Sequence, residues 1–321
     1  MRRASGSRSA RERTPLWRSP NRAGQVEESS MKVGFIGLGN MGRPMTENIL
    51  AAGFSCWVYN RTRSRAEALT EQGARLVDSP AEVAEKSDLV LTCLADVEAC
   101  RAIFLGPSGL LSATRPRHVL VDHSTVDPAT SKEFCRLTRR RGARFLDAPV
   151  SGGPEGASQG TLTIMVGGAT SAFQRALPVF QTLGRKIVHM GGPGTGSTTK
   201  LVNQILVAVH TLASCEAFLL ARDSGLEPEK LTAVLMESWG ASRMLDRNAV
   251  RIAGGDFGLS GAPVRNLLKD LGIIVALAAR KGLSLPSTRE AERLNRMASD
   301  KGMADHDLTA IYQLLAQRAE R

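Results

Sequence analysis

Apolar positions along this chain fall into two regimes. From residue 32 to residue 147, short apolar runs alternate with stretches whose apolar residues recur every three or four positions. Apolar runs bounded by turn residues read as buried parallel strands, and the periodic stretches as helices. The strand-like runs are 32–37, 54–59, 88–94, 118–122 and 143–147, with a helix over 128–141. Beyond Gly196 the strand signals stop and helical periodicity covers 198–224, 229–237, 264–280, 287–299 and 308–318. Pro228 and Pro286 fall at helix starts, where a missing N–H costs nothing, and Gly225 and Gly282 fall just past helix ends. The pattern predicts an α/β part followed by an all-α part.

The first strand runs into Gly37-Leu38-Gly39-Asn40-Met41-Gly42, a G-x-G-x-x-G, and then into a periodic apolar stretch. Strand, glycine turn and helix form the context a dinucleotide site requires. Gly37 permits the tight turn, Gly39 lets backbone approach a pyrophosphate, and Gly42 lets the helix pack close to the strand. Free N–H groups at the helix start would bind the phosphates. The second strand ends at Asn60-Arg61-Thr62, where an NAD enzyme carries an acid for the ribose 2′-hydroxyl. An amide there removes repulsion against a 2′-phosphate and Arg61 supplies a planar fork, so NADP is predicted over NAD. The competing reading makes Asn60 a turn former and Arg61 a solvated loop residue. Ligands of doubly wound sheets sit at strand carboxyl ends. The loops at Leu94-Ala95-Asp96 and Ser124-Thr125 should therefore face the cofactor, and Ser124 or Thr125 can also cap the following helix.

Four blocks in chain order resemble the β-hydroxyacid dehydrogenase family, which includes 3-hydroxyisobutyrate dehydrogenase, tartronate semialdehyde reductase and the glyoxylate/succinic semialdehyde reductases. They are Gly34–Gly42, then Asp147–Ala157 running on to Gly160-Thr161-Leu162, then Gly194–Gln204, and finally Lys269-Asp270-Leu271 with Leu285-Pro286. The resemblance covers residues 32–315 and implies a Rossmann domain over 31–195, joined by a long interdomain helix to an all-helical C-terminal domain over 196–321. It implies that Lys200 is the general acid/base and that Asn203 helps bind substrate. Independently, burial and the positive end of its helix should both lower the Lys200 pKa, and Asn203 and Gln204 share its helix face. Ser151-Gly152-Gly153 would bind a substrate carboxylate, since consecutive glycines expose amides as an anion nest. Thr125 would touch both substrate and cofactor. Lys269 would lie over the nicotinamide side of the cleft, with Asp270 nearby. Asp305 is read as a helix N-cap. One departure bears on substrate choice. Family members carry a second aromatic residue shortly after the equivalent of Asp256-Phe257, whereas here Gly258-Leu259-Ser260-Gly261-Ala262-Pro263 follows, with one extra residue before Lys269.

Composition changes this picture only at the edges. The 321 residues are 42% apolar and 23% charged, which excludes a disordered or collagenous chain. Aromatics are only 4%, so aliphatic side chains must fill the core. The net charge of +11 and a pI near 10.0 invite a nucleic-acid reading. Seven Arg and three Glu fall in residues 1–30, and the remaining charge reads as spread without a long basic run. An anionic cofactor fits a positive surface equally well. Residues 1–30 read as a disordered basic extension upstream of Met31 in a cytoplasmic protein; the alternative is a mitochondrial transit peptide. Five scattered cysteines with no CxxC argue against disulfides, and five histidines without metal spacing argue against a metal site. The most membrane-like stretch, 201–221, contains Asn203, Gln204, His210, Ser214 and Glu216, and reads instead as a buried helix. The partners expected are a small carboxylate substrate and further copies of the chain, with neither membrane nor nucleic acid. Two other activities stand as alternatives: an imine reductase of the same superfamily, against which Lys200 counts, and a non-catalytic cofactor- or DNA-associated protein.

Overall fold

The computed structural model describes residues 31–319. The tail at 1–30, read above as a basic extension, lies outside the described residues.

Six parallel strands lie in the order β3-β2-β1-β4-β5-β6: β1 (Val33–Ile36), β2 (Cys56–Tyr59), β3 (Arg75–Leu76), β4 (Leu89–Thr92), β5 (Val119–Asp122) and β6 (Arg144–Asp147). This is the doubly wound Rossmann arrangement, with the crossover between β1 and β4. Side chains alternate between two buried layers, as the twofold period of a strand requires. Val33, Phe35, Leu89, Leu91, Val119 and Val121 pack into one core, while Ile36, Val90, Leu120 and Phe145 pack into the other. Phe104 and Phe134 stack in the second core with ring centroids 4.5 Å apart. Each such buried side chain contributes about 1.5–3 kcal/mol, so the sheet is a rigid platform for its loops.

Four strands are absent from the periodicity reading: β3, on the edge beside β2, and three that extend the sheet beyond β6. β7 (Val150–Ser151) and β8 (Leu162–Gly168) pair antiparallel, β8 also pairs antiparallel with β6, and β9 (Gly184–Gly191) pairs parallel with β8. The run Leu162–Val166 carries the apolar signal of a strand, but the glycine block before it reads first as a ligand loop.

The helical part begins with Thr195–Asp223, a 29-residue helix. Its start is locked to the sheet. Asp147, at the end of β6, accepts the Gly194 and Ser197 amides at 2.8 Å each. Gly196 is required there, because a Cβ would lie 2.3 Å from the Met165 carbonyl oxygen and 2.4 Å from that of Asp147. The helix then packs against Arg243–Ala253, Val264–Arg280, Pro286–Ala298 and Ile311–Ala319. Arg243–Ala253 escaped the sequence reading, although Ser242 caps it by accepting the Leu245 amide at 3.0 Å. The long helix is apolar and long enough to cross a membrane, yet only 39% of its most apolar 18-residue stretch is buried. It is therefore less buried than expected, with Val202, Leu206 and Leu220 exposed on one side.

Asp307 organises the C-terminal core. Burial would raise its pKa, but hydrogen bonds from Arg247, Ser260 and Thr309 outweigh that and hold it at about 2. It also caps the turn Leu308–Ala310. Asp305, expected as the cap, instead pairs with Arg265 at the surface.

Candidate active site

The loops after β1, β4 and β5 lie side by side at the carboxyl edge of the sheet. At Gly37 φ is +95°, and a Cβ would lie 2.3 Å from the Cys93 carbonyl oxygen. Gly42 starts the first helix, Gly42–Ala51, and a Cβ there would lie 1.9 Å from the Gly37 carbonyl oxygen. Gly39 is the opposite case, with nothing within 4 Å of an added Cβ. Two of the glycines thus close the turn, while the middle one faces open space. The helix start has no side-chain cap, and the Gly39, Asn40 and Met41 amides meet no acceptor among the described residues. A turn that presents bare amides beside a helix N-terminus fits a dinucleotide pyrophosphate.

Asn60 is tied into the chain on both sides of its carboxamide. Its Oδ1 accepts the Leu38 amide at 2.9 Å and its Nδ2 donates to the Thr62 carbonyl at 2.8 Å. The carboxamide braces the glycine turn against the end of β2. Arg61 and Thr62 are exposed, and Arg61 makes no ion pair among the described residues, so its guanidinium is free to meet an anion. The β4 loop is braced likewise: the Leu94 amide donates to Ser124 Oγ at 2.8 Å, leaving Ala95 exposed. Ser124 and Thr125 do not cap the next helix. Asp127 does, accepting the Ala129 and Thr130 amides at 3.0 and 3.2 Å.

Lys200 sits in the second turn of the long helix and is 8% exposed. Its ammonium donates to Gln204 Oε1 at 2.9 Å, and Asn203 Nδ2 donates to the same oxygen at 3.1 Å. Gln204 Nε2 donates in turn to the buried Asp270 carboxylate at 2.7 Å. Lys269 lies 3.1 Å from Asp270 Oδ1 and donates to the Thr125 carbonyl at 3.0 Å. One connected network therefore joins Lys200, Asn203, Gln204, Asp270, Lys269 and Thr125, and so joins two helices to the β5 loop. Burial lowers the Lys200 pKa to about 8; Asp270 opposes this and the Lys269 charge adds to it. Gln204 is the member that spacing alone placed near Lys200 without giving it work. Its bridging role depends on where Val264–Arg280 packs, which no local signal specifies.

Ser151-Gly152-Gly153 forms a separate arm. Gly152 and Gly153 have φ of +137° and +64°, and a Cβ on Gly153 would meet nothing within 4 Å. No hydrogen bond joins this loop to Lys200 in the structure. It does meet the helical part at Gly261, where an added Cβ would lie 2.4 Å from Pro154 Cγ. The unusual segment 258–263 is thus packed against the loop expected to take the substrate.

Comparison with known proteins gives this constellation a setting. The family described as the NAD binding domain of 6-phosphogluconate dehydrogenase matches residues 32–192. The one described as NAD-binding of NADP-dependent 3-hydroxyisobutyrate dehydrogenase matches residues 194–315. 2-Hydroxy-3-oxopropionate reductase of Escherichia coli is 36% identical over 89% of this chain and 97% of its own. The chain belongs to the β-hydroxyacid dehydrogenase family. 2-(Hydroxymethyl)glutarate dehydrogenase of Eubacterium barkeri is 33% identical over 90% of this chain and 96% of its own. A solved 3-hydroxyisobutyrate dehydrogenase of Mycobacterium tuberculosis, with L-serine, superimposes with TM-score 0.81 at 32% identity, covering 89% of this chain and 99% of its own. Imine reductases share the fold at greater distance, as with one from Pseudomonas sp. at 21% identity and TM-score 0.57. The family gives the coarse activity, that of an NAD(P)-dependent hydroxyacid dehydrogenase.

Proposed function

We propose that this chain is an NADP-preferring reductase of small semialdehydes, and a dehydrogenase of the matching β-hydroxy acids, with Lys200 as general acid/base. The observation that carries the reading is a buried amine, its pKa lowered by burial to about 8, held by Gln204 at the carboxyl edge of a dinucleotide-binding sheet. A catalytic proton donor is most effective when its pKa lies near working pH. A bound nicotinamide would supply or accept the hydride. The Gly39, Asn40 and Met41 amides would hold the pyrophosphate, with Gly37, Leu38 and Gly42 shaping the turn. Arg61 and Thr62 would take the 2′-phosphate, with Asn60 as the brace that aims them. Leu94, Ala95, Thr125 and Lys269 would line the nicotinamide side.

Below pH 8 Lys200 carries a proton to donate to the carbonyl oxygen, and its charge stabilises the oxygen as electrons arrive there. Above pH 8 the neutral amine accepts the hydroxyl proton in the reverse direction. Asn203 would hold the reacting oxygen, and the Ser151, Gly152 and Gly153 backbone would hold the substrate carboxylate. Retention of Lys200 favours a carbonyl over an imine substrate. The relatives' named activities point to three- to six-carbon acids, within which the aromatic-free segment 258–263 would set the choice.

The test is turnover of glyoxylate, succinic semialdehyde, tartronate semialdehyde and methylmalonate semialdehyde with NADPH and NADH, for wild type, Lys200→Ala and Arg61→Ala. The reading expects NADPH to be preferred, the preference to shrink about tenfold in Arg61→Ala, and turnover to collapse in Lys200→Ala. Cofactor binding without turnover of any member, or equal turnover in Lys200→Ala, would overturn it. The exposed apolar residues Val202, Leu206 and Leu220 on one side of the long helix support a homo-oligomer built on it, since apolar surface is normally covered where it serves as an interface. Leu206→Lys should then reduce the mass in light scattering to that of one chain.

A further inference from the structure

A second feature lies away from this cleft, on the helix Pro128–Arg140. The charge beyond the tail is not evenly spread: Arg136, Arg139, Arg140, Arg141 and Arg144 fall within nine residues. Between Pro128 and Arg144 the only acid is Glu133, and its carboxylate is taken by Arg101 at 2.5 and 3.2 Å. Lys132, Arg136, Arg139 and Arg140 are exposed, and none makes an ion pair among the described residues. At spacings of four, three and one they share one helix face. With Cys135 and Pro193 they line a concavity of about 500 Å³.

Helix electrostatics account for part of this arrangement only. Arg139 and Arg140 lie in the last turn, where cations favour the helix dipole. Lys132 and Arg136 lie nearer the middle and gain nothing from it, yet they point to the same hollow. Four like charges around one concavity repel each other until an anion enters. The hollow also touches the junction of the two parts. The Lys132 stem packs beside Gly194, with Cε 3.2 Å from where a Cβ would lie, and Ser131 Oγ is 2.8 Å from Ser197 Oγ, one turn before Lys200.

We propose that this hollow is a binding site for a small polyphosphate anion, separate from the dinucleotide site. Arginine forks suit phosphate oxygens in pairs. From Lys132 to Arg140 the cations span eight helical steps, about 12 Å, and the volume is that of a nucleotide-sized ligand. A duplex would need a footprint of about 600 Å² or more, beyond a single helix face.

The test is calorimetric titration of inorganic tripolyphosphate into protein saturated with whichever nicotinamide cofactor binds it. Wild type is compared with Arg136→Glu/Arg139→Glu and with the equally charged control Arg280→Glu/Lys281→Glu. The proposal expects one saturable site per chain, weakened about tenfold or more for each hollow cation reversed and nearly unchanged in the control. Arg136→Gln serves as a gentler variant, and unchanged melting and turnover keep folding out of the reading. Absence of saturable binding, equal loss in the control, or loss of the site on cofactor saturation would each overturn the proposal. So would a short DNA duplex that displaces tripolyphosphate at lower concentration.

Discussion

The two halves of the cleft are built from different materials. On the sheet side the site is backbone: bare amides, three glycines with distinct duties and an uncapped helix start. On the helical side it is side chain: a buried lysine, two amides, a carboxylate and a second lysine in one hydrogen-bonded chain. Backbone sites are specified locally, by glycines at fixed spacing between a strand and a helix. Side-chain networks are specified globally, by the packing of helices far apart in sequence. The first kind costs little stability. The second kind carries buried polar groups that must satisfy one another.

That contrast can be broken first at the glycines. Gly42→Val forces a side chain into space already held by the Gly37 carbonyl. It should cost about 3 kcal/mol and lower the melting temperature by about 5–10 °C, with cofactor binding lost. Gly39→Ala should leave melting unchanged and weaken cofactor binding about tenfold, because its Cβ would enter open space. Equal effects of the two substitutions on stability would contradict the division of roles.

The helical side should show the opposite trade. The Lys200 pKa is about 8 in the folded chain against an ordinary 10.5, so the unfolded chain holds the proton more tightly. Folding is penalised below pH 8 by roughly 3 kcal/mol, and the penalty fades as pH rises from 8 to 10.5. Lys200→Met should therefore be more stable than wild type at pH 7, by up to that amount, with the advantage shrinking towards pH 10.5. Denaturant titrations across this range test it, and a variant less stable at pH 7 would contradict it. A smaller effect is expected at Gln204→Leu, which leaves the Lys200 ammonium without its acceptor and Asp270 without the Gln204 donor. Turnover should fall about a hundredfold, and the pH at which reduction declines should move downward.

Legibility in the sequence followed the same division. The Gly37–Gly42 turn, the ends of β4 and β5 and the position of Lys200 could all be read from spacing. Asn60 could be placed at the end of the second strand, but its bonds to Leu38 and Thr62 depend on how that end meets the glycine turn and could not be read from spacing. Strands β3 and β7 were hidden because two residues show no alternation, β8 because it follows the loop Ser151–Gly160, and β9 because polar residues mix with its apolar ones and little of it is buried. The cap on the helix after β5 is Asp127, because Pro128 starts the helix and Ser124 is already engaged by the Leu94 amide. The Gln204 to Asp270 bond spans 66 residues, and only tertiary packing brings those groups together.

The most direct test of the central claim is the pH dependence of kcat/KM in both directions, for wild type and Lys200→Met, with the preferred semialdehyde and its hydroxy acid. Lys200 as acid/base predicts that reduction declines above about pH 8 while oxidation rises through the same midpoint, and that both limbs vanish with the lysine. Profiles that are flat through pH 8, or that persist in Lys200→Met, would place the proton transfer on another group and contradict the account.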